Sequence, residues 1–251
     1  MQASLIGFKR SQQDILLLCS ADLLAATLKR LSMFVMRAKV KLSDASAEFE
    51  VYGLAGQALA DAMQNVAIEA DKAWAKADFD DVTVLTLYPA NGSARALWVA
   101  PLGRAAPAGV TMTAEQWAWG EVRSGVASVT LPTFEALVPQ MLNYESVGGI
   151  NFKKGCYPGQ EVVARSQFRG TQKRRAYLAQ AAVSLAAGDE LFAASDPDQP
   201  CGLVVQAAPA PGGGFAAIVS IQINAFELGG VHAQSPLGPL LTLAAAPYPL
   251  L

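Results

Sequence analysis

The chain has 251 residues, three cysteines and a net charge of −2, and 52% of its residues are hydrophobic against 16% charged. Such a composition excludes an intrinsically disordered chain, because a sequence this apolar can bury enough surface to fold. The single histidine, His232, excludes multi-histidine metal sites and leaves Ser-His-Asp or Cys-His catalysis only one imidazole. The length suits one large domain or two modest ones.

The sequence shows neither a membrane span nor an export signal. The longest apolar candidate, residues 15–28, is interrupted by Ser20 and Asp22, and it falls short of the roughly 20 residues that cross a bilayer. Lys9 and Arg10 follow the first apolar stretch, whereas a signal peptide places its charges first. Without an export signal a disulfide framework is disfavoured, and the absence of a C-x-x-C pair disfavours a zinc site or a self-contained iron–sulfur site. We therefore predict a soluble, cytoplasmic protein with no metal.

The first part of the chain alternates short strands with amphipathic helices, which predicts an α+β fold with a mainly antiparallel sheet. Asn91-Gly92 between two apolar runs predicts a tight hairpin turn. The predicted strands are residues 3–8, 15–19, 38–42, 48–54, 82–88 and 94–100, and the predicted helices begin at Ser20 and Gln57.

A third helix is predicted from Thr113 to near Gly125, and it carries two tryptophans. Trp117 and Trp119 stand two residues apart, so they point to different faces of that helix. One can pack in a core while the other lines a pocket, where an indole stacks well on a flat heterocycle. A fourth helix is predicted from about Pro158 to Arg169.

After residue 170 the pattern changes to short apolar runs separated by proline and glycine turns, with no helix predicted. Six short strands in such a segment predict a small β-barrel or sandwich, and His232 is interpreted as a strand residue rather than a catalyst. We predict a domain of residues 1–170 and a β-barrel of residues 171–251. The predicted strands are residues 174–183, 190–194, 202–207, 215–223, 230–233 and 240–244.

The densest chemistry lies in residues 153–161, here called the signature turn. Cys156 follows two lysines, Lys153 and Lys154, and precedes a predicted helix N-terminus, so positive charge on both sides favours a reactive thiolate. Glycines in the turn permit tight geometry and close approach by a ligand. Without a histidine partner the thiol is an incomplete catalyst, and a tight turn with an incidental cysteine is the alternative.

Positive charge is concentrated around this turn. From residue 153 to residue 175 there are seven basic residues and one acid, Glu161, a local charge of +6, which leaves −8 for the rest of a chain with net charge −2. Such a patch favours an anionic partner, although a solvated helix face followed by a basic strand fits equally well.

Residues 154–161, K-G-C-Y-P-G-Q-E, resemble the K-G-C-Y-x-G-Q-E signature of the YgfZ family of folate-binding proteins. The resemblance covers most of the chain, is strongest from Trp117 to Arg174 and is weak in the C-terminal strands. The flanking matches are Pro139-Gln140-Met141, Gly148 to Phe152, Val162 to Arg165, Arg169-Gly170, Lys173-Arg174 and Gly125.

This family is related to the T-protein (aminomethyltransferase) of the glycine cleavage system. The resemblance implies a T-protein-like α+β body with a C-terminal small β-barrel. It also implies a tetrahydrofolate-binding accessory protein, rather than an enzyme, that supports iron–sulfur enzymes and, through them, tRNA modification. Cys156 is then the reactive thiol. The implied folate-binding residues are Trp117, Lys154, Gly155, Tyr157, Gly159, Gln160 and Glu161.

The implied ligand is tetrahydrofolate or a polyglutamylated or one-carbon derivative, and the implied partners are iron–sulfur client enzymes, with only an indirect link to tRNA. Family members carry a further segment before the point that matches Met1, so we expect one wall of the folate pocket to lie outside this chain. Two alternatives stay open. One is a folate-dependent one-carbon transferase, although T-proteins lack such a cysteine; the other is an RNA-binding module, whose only interleaved aromatics are Phe168 and Tyr177.

Overall fold

A computed structural model describes residues 1–64, 66, 72–168 and 172–251 of the chain. The fold is mixed α+β, as predicted. It divides into two compact units, an N-terminal unit of Ala3–Thr113 and a C-terminal unit of Met1–Gln2 with Ala114–Leu251. The predicted domain boundary between residues 170 and 171 lies outside the described residues and stays a prediction.

The N-terminal unit contains an antiparallel hairpin and a four-stranded antiparallel sheet. The hairpin consists of β1 (Ile6–Lys9) and β2 (Ile15–Leu18). The sheet has the order β3-β6-β5-β4, with β3 (Phe49–Ala55), β4 (Lys76–Phe79), β5 (Val82–Ala90) and β6 (Ser93–Pro101). Two helices accompany them, α1 (Ala21–Ser32) and α2 (Gly56–Met63).

Local chemistry accounts for the β5–β6 hairpin. Asn91 and Gly92 adopt positive φ angles of 49° and 77°, as a two-residue hairpin turn with the sheet's own twist requires. Along both strands the side chains then point alternately to the two faces of the sheet. Val84 and Trp98 face a core shared with Leu59 of α2, while side chains of the opposite parity face the β1–β2 hairpin. The predicted hairpin is confirmed.

One predicted strand in this unit does not form, and one observed strand was not predicted. Residues 38–42 form no strand. They alternate as a strand would, but Val40 is 56% exposed, and strand propensity depends on a partner and a buried face. Conversely, β4 was missed, because Lys76 and Asp78 are poor strand formers and pairing with β5 overrides that preference.

The C-terminal unit is built on a six-stranded antiparallel half-barrel. The six predicted strands are confirmed, but the prediction of no helix is wrong, because a six-residue helix follows β10 and is too short to show helical periodicity. The order is β11-β8-β9-β10-β7-β12, with β7 (Arg174–Ala181), β8 (Glu190–Ala193), β9 (Asp196–Pro209), β10 (Phe215–Gln222), β11 (Val231–Ala233) and β12 (Thr242–Ala244).

One segment serves both ends of this sheet. The Ala233 N–H donates to the Pro239 carbonyl at 2.9 Å, and the Leu241 N–H donates to the Val231 carbonyl at 2.9 Å. The same segment then continues into β12, which pairs with β7 at the opposite end. His232 lies in β11, as predicted, and its Nδ1 is 2.7 Å from the Gly238 carbonyl. Residues 239–244 therefore bond both β11 and β7 and connect the two ends of the sheet.

Both faces of the half-barrel are covered. Its inner core includes Tyr177 of β7, which stacks on Phe226 with ring centroids 3.9 Å apart. Its outer face carries α3 (Ala114–Arg123) on β9 and β10, and a 3-10 helix, Pro139–Leu142, on β7 and β10. The Ser220 hydroxyl donates to the Met141 carbonyl at 2.9 Å and fixes that 3-10 helix. The remaining helices are α4 (Gln160–Phe168) and α5 (Ile223–Leu228).

Over the parts of the chain that the structure describes, no helix combines the length and apolarity needed to cross a bilayer.

Candidate functional site

The signature turn is closed by local hydrogen bonds. The Lys153 N–H donates to the Asn151 side-chain oxygen at 2.8 Å, and the Gln160 N–H donates to the Tyr157 carbonyl at 3.1 Å. Helix α4 begins at Gln160, so the predicted start at Pro158 is wrong by two residues. The reason is Gly159, whose φ of +87° lies outside the helical region.

This later start moves the helix N-terminus away from the thiol. Cys156 lies four residues before the first helical residue, and the influence of a helix dipole fades within about one turn. The two preceding lysines are both exposed. Positive charge near Cys156 therefore comes mainly from Lys153 and Lys154 rather than from α4.

The three cysteines differ in their access to solvent. Cys156 is exposed, Cys19 is half-buried and Cys201 is buried. Burial raises the pKa of the Cys201 thiol, and burial together with the nearby Asp22 and Asp44 raises the pKa of the Cys19 thiol. Both shifts disfavour a thiolate. Of the three, Cys156 is the most accessible to a reagent or a partner.

Neighbouring signature residues form a solvent-facing surface. The Lys154 ammonium lies 4.4 Å from the centroid of the Tyr157 ring, a cation–π contact. Glu161 is exposed and Gln160 half-buried in the first turn of α4. A side chain added at Gly155 or Gly159 would meet none of the described residues within 4 Å. The space above both glycines is therefore open to a ligand.

Helix α4 is held in place by a buried side-chain hydrogen bond and by an aromatic contact at its end. Gln140, 1% exposed, donates from Nε2 to the Val163 carbonyl at 2.7 Å. Phe152, just before the signature turn, packs edge-to-face on Phe168 at the end of α4, with centroids 5.6 Å apart. The turn and α4 thus form one continuous surface.

The basic patch is only partly free to bind a partner. Arg169 lies outside the described residues. Arg175 forms an ion pair with Glu145, whose side chain is 1% exposed, and its second guanidinium nitrogen donates to the Leu251 backbone oxygen at 2.8 Å. Sequence reasoning missed Glu145, since its partner is 30 residues away and no local pattern links them. Arg175 is therefore a structural cation, whereas Lys153, Lys154, Arg165 and Lys173 of the patch are exposed.

Trp117 and the signature turn are held by the same sheet. Trp117 is half-buried on α3, which packs on β9 and β10. Helix α4 packs on the 3-10 helix of residues 139–142, which in turn packs on β7 and β10. Strand β10 is therefore the common neighbour of the elements that support both predicted regions.

Trp119, the second tryptophan of α3, lines a cleft. It lines an open cleft of about 610 Å³ together with Phe215, Pro211 and Leu240. Sequence reasoning allowed one of the two tryptophans to line a pocket, with core packing as the default for each, and it did not assign this cleft. Its position beside a half-barrel strand depends on pairings that are distant in sequence.

The signature turn offers a thiol and cations and contains no histidine. Cys156 is exposed beside Lys153 and Lys154, whereas the single imidazole, His232, is bonded to the Gly238 carbonyl within the half-barrel. Such a turn can bind an anionic ligand and present a thiol to it. Compared with models of known protein families, the chain matches none.

Proposed function

We propose that the protein is a tetrahydrofolate-binding accessory protein that supports iron–sulfur enzymes and, through them, tRNA modification. The observation that carries this proposal is the exposure of Cys156 within a turn that bears the full K-G-C-Y-P-G-Q-E sequence. A structural cysteine in an apolar core is shielded, as Cys201 is. A thiol left open beside two lysines is suited to react with, or hold, a bound molecule.

Fold features support the proposal at a coarser level. The mixed α+β chain ends in a half-barrel in which one segment, residues 239–244, bonds both β11 and β7. This supports the T-protein-like body and the C-terminal small β-barrel that the resemblance implies. Residues 1–170 and 171–251 would then be the two parts of a folate-binding protein.

The residues of the turn suit the parts of a tetrahydrofolate molecule. Lys154, exposed and oriented by the Tyr157 ring, would pair with the carboxylates of the glutamate tail. Gln160 and Glu161 would bond the nitrogen-rich ring, and Trp117 would stack on it. The open space at Gly155 and Gly159 admits such a ligand. When bound, tetrahydrofolate would supply a one-carbon carrier beside the Cys156 thiol.

A titration with tetrahydrofolate tests the proposal. Binding is followed by tryptophan fluorescence in the wild type, in Trp117→Ala and in the matched control Trp119→Ala, whose indole lines the separate cleft. Loss of a stacked aromatic should weaken binding about tenfold in Trp117→Ala and leave Trp119→Ala near the wild type. Equal affinity in both variants would contradict the role of Trp117, and no saturable binding by the wild type would contradict the proposal.

The RNA-binding alternative loses one of its two aromatics in the structure. Tyr177 is 6% exposed and stacked on Phe226 inside the half-barrel, so it cannot stack on a base. Phe168 is 71% exposed, but one aromatic offers a poor platform for single-stranded RNA. The one-carbon transferase alternative has no separate support from the geometry.

A further inference from the structure

The two edges of the four-stranded sheet in the N-terminal unit are built differently. Strand β4 is four residues long and bears Lys76 and Asp78, which are features that protect an edge from pairing. Strand β3 is seven residues long and contains neither lysine nor proline. Val51 is 46% exposed and Tyr52 36% exposed along it. Within the described residues, the β3 edge is therefore longer than the β4 edge and carries one charged residue, Glu50, where β4 carries two.

The hydrogen-bond register shows which backbone groups of β3 face outward. The Leu102 N–H donates to the Glu48 carbonyl at 2.8 Å, and the register continues without a shift to Ala55 opposite Arg95. Since bonded and non-bonded pairs alternate in an antiparallel ladder, the even-numbered residues of β3 bond β6. The odd-numbered residues direct their N–H and C=O groups to the open edge; they are Phe49, Val51, Gly53 and Ala55.

A second unfilled feature adjoins this edge. Helix α2, eight residues long, begins at Gly56 directly after β3. Its N-cap residue, Ala55, makes no side-chain capping bond, and its first turn contains no acid. Within the described residues, neither a side-chain cap nor a first-turn acid offsets the partial positive charge of its N-terminus. At the other end of β3 stand two acids, Glu48 and Glu50.

We propose that a second copy of this chain pairs with the β3 edge, β3 to β3 and antiparallel, about a two-fold axis at Tyr52. This register aligns all seven residues and places odd-numbered residues opposite odd-numbered ones. Val51 of one copy and Gly53 of the second copy then exchange two backbone hydrogen bonds. Phe49 of one copy and Ala55 of the second copy do the same. Each outward N–H and C=O group of the strand gains a partner.

Side chains on the even-numbered face match in this register as well. The two Tyr52 side chains meet at a non-hydrogen-bonded pair, where cross-strand side chains are closest. Each Tyr52 already lies edge-to-face on its own Trp98, with centroids 5.5 Å apart. The aromatic row therefore continues across the axis.

Charges are complementary across the same axis. Glu48 comes opposite Gly56 of the second copy, the first residue of an α2 helix that has no cap. Glu50 comes opposite Leu54 of the second copy, so no like charges face each other. The pairing brings a carboxylate to the N-terminus of each α2 helix, whose own first turn contains no acid.

The size of the contact sets the expected strength. A stable interface engages about 20–30 residues a side, whereas β3 offers seven. We therefore expect a weak dimer with a Kd on the order of tens of micromolar.

Sedimentation velocity of the full chain from a few micromolar to about 200 µM measures this Kd. Val51→Pro removes an N–H that bonds nothing within the sheet, so it should keep the wild-type melting temperature within a few degrees and weaken dimerisation at least tenfold. Val51→Thr keeps the N–H and should dimerise like the wild type. A wild type that stays monomeric at 200 µM, or a folded Val51→Pro protein that still dimerises, would overturn the proposal.

A crosslinking experiment tests the register and does not depend on the proline variant. In a Cys156→Ser background, Tyr52→Cys places two thiols across the axis and should give a covalent dimer under mild oxidation. In Glu50→Cys, each new thiol lies opposite residue 54 of the second copy, four residues away from the other new thiol. This variant should give at least fivefold less covalent dimer. Equal crosslinking of the two variants would refute the Tyr52-centred register.

Discussion

The two main sheets of the protein differ in whether their edge strands have hydrogen-bond partners. In the half-barrel, residues 239–244 bond β11 at one end and β7 at the other, so the strands that would be edges have partners within the chain. In the four-stranded sheet, β3 keeps four residues whose backbone groups face outward. A sheet that satisfies itself is a scaffold, whereas a sheet with an open edge is a surface for association.

Breaking the buried ion pair of the half-barrel should have the largest effect. Arg175→Met would leave Glu145, with a side chain 1% exposed, as an uncompensated buried charge and cost about 4 kcal/mol. The matched variant Lys76→Met removes the cation of the exposed Lys76–Asp78 pair on β4 and should cost less than about 1 kcal/mol. Urea unfolding measures both. Similar losses would show that the half-barrel pair is not effectively buried.

The second prediction probes the close packing of β9 against β10. A Cβ added at Gly202 would lie 2.1 Å from the Ser220 backbone oxygen and 2.7 Å from the Ile221 Cα. The strands would have to separate, so Gly202→Ala should destabilise the protein by about 3 kcal/mol. Gly212→Ala, where nothing lies within 4 Å of the added carbon, is the control and should melt within about 2 °C of the wild type. A neutral Gly202→Ala would mean that the half-barrel yields more easily than its packing indicates.

The smallest expected effect concerns pH and the protected edge of the open sheet. Desolvation opposes the shift, but hydrogen bonds from Lys76 and Thr83 lower the pKa of Asp78. Because the folded-state pKa lies below the unfolded one, its stabilisation is present above about pH 3.9 and is lost as the pH falls through the folded pKa. Between pH 6 and pH 3 the melting temperature of the wild type should therefore fall a few degrees more than that of Asp78→Asn. Parallel curves would contradict this.

Prediction from sequence succeeded where the signal was local and strong. Asn91-Gly92 between apolar runs identified the β5–β6 hairpin, and the spaced apolar runs after residue 171 identified six strands. It failed where burial decides the outcome. Residues 38–42 alternate like a strand but form none, and β4 has poor propensity but pairs with β5. The alternation of side chains alone cannot say whether a face is covered.

The candidate site divides along the same line. The residue types of the signature turn predicted a reachable thiol with cations beside it, and Cys156 is exposed. They also predicted a helix start at Pro158, which the positive φ of Gly159 moved to Gln160. The basic count was too high, because Arg175 is neutralised by Glu145, a residue that sequence proximity does not bring near it.

By itself, the sequence determined the fold class, the strand-rich C-terminal part and the turn that carries Cys156. These follow from residue type and short spacing, which act through local backbone preferences and the burial of apolar side chains. Only the tertiary structure decided which basic residues stay free, which tryptophan lines a cleft, and which sheet closes while the other stays open. Those outcomes depend on contacts between residues far apart in the chain, and no short pattern encodes them.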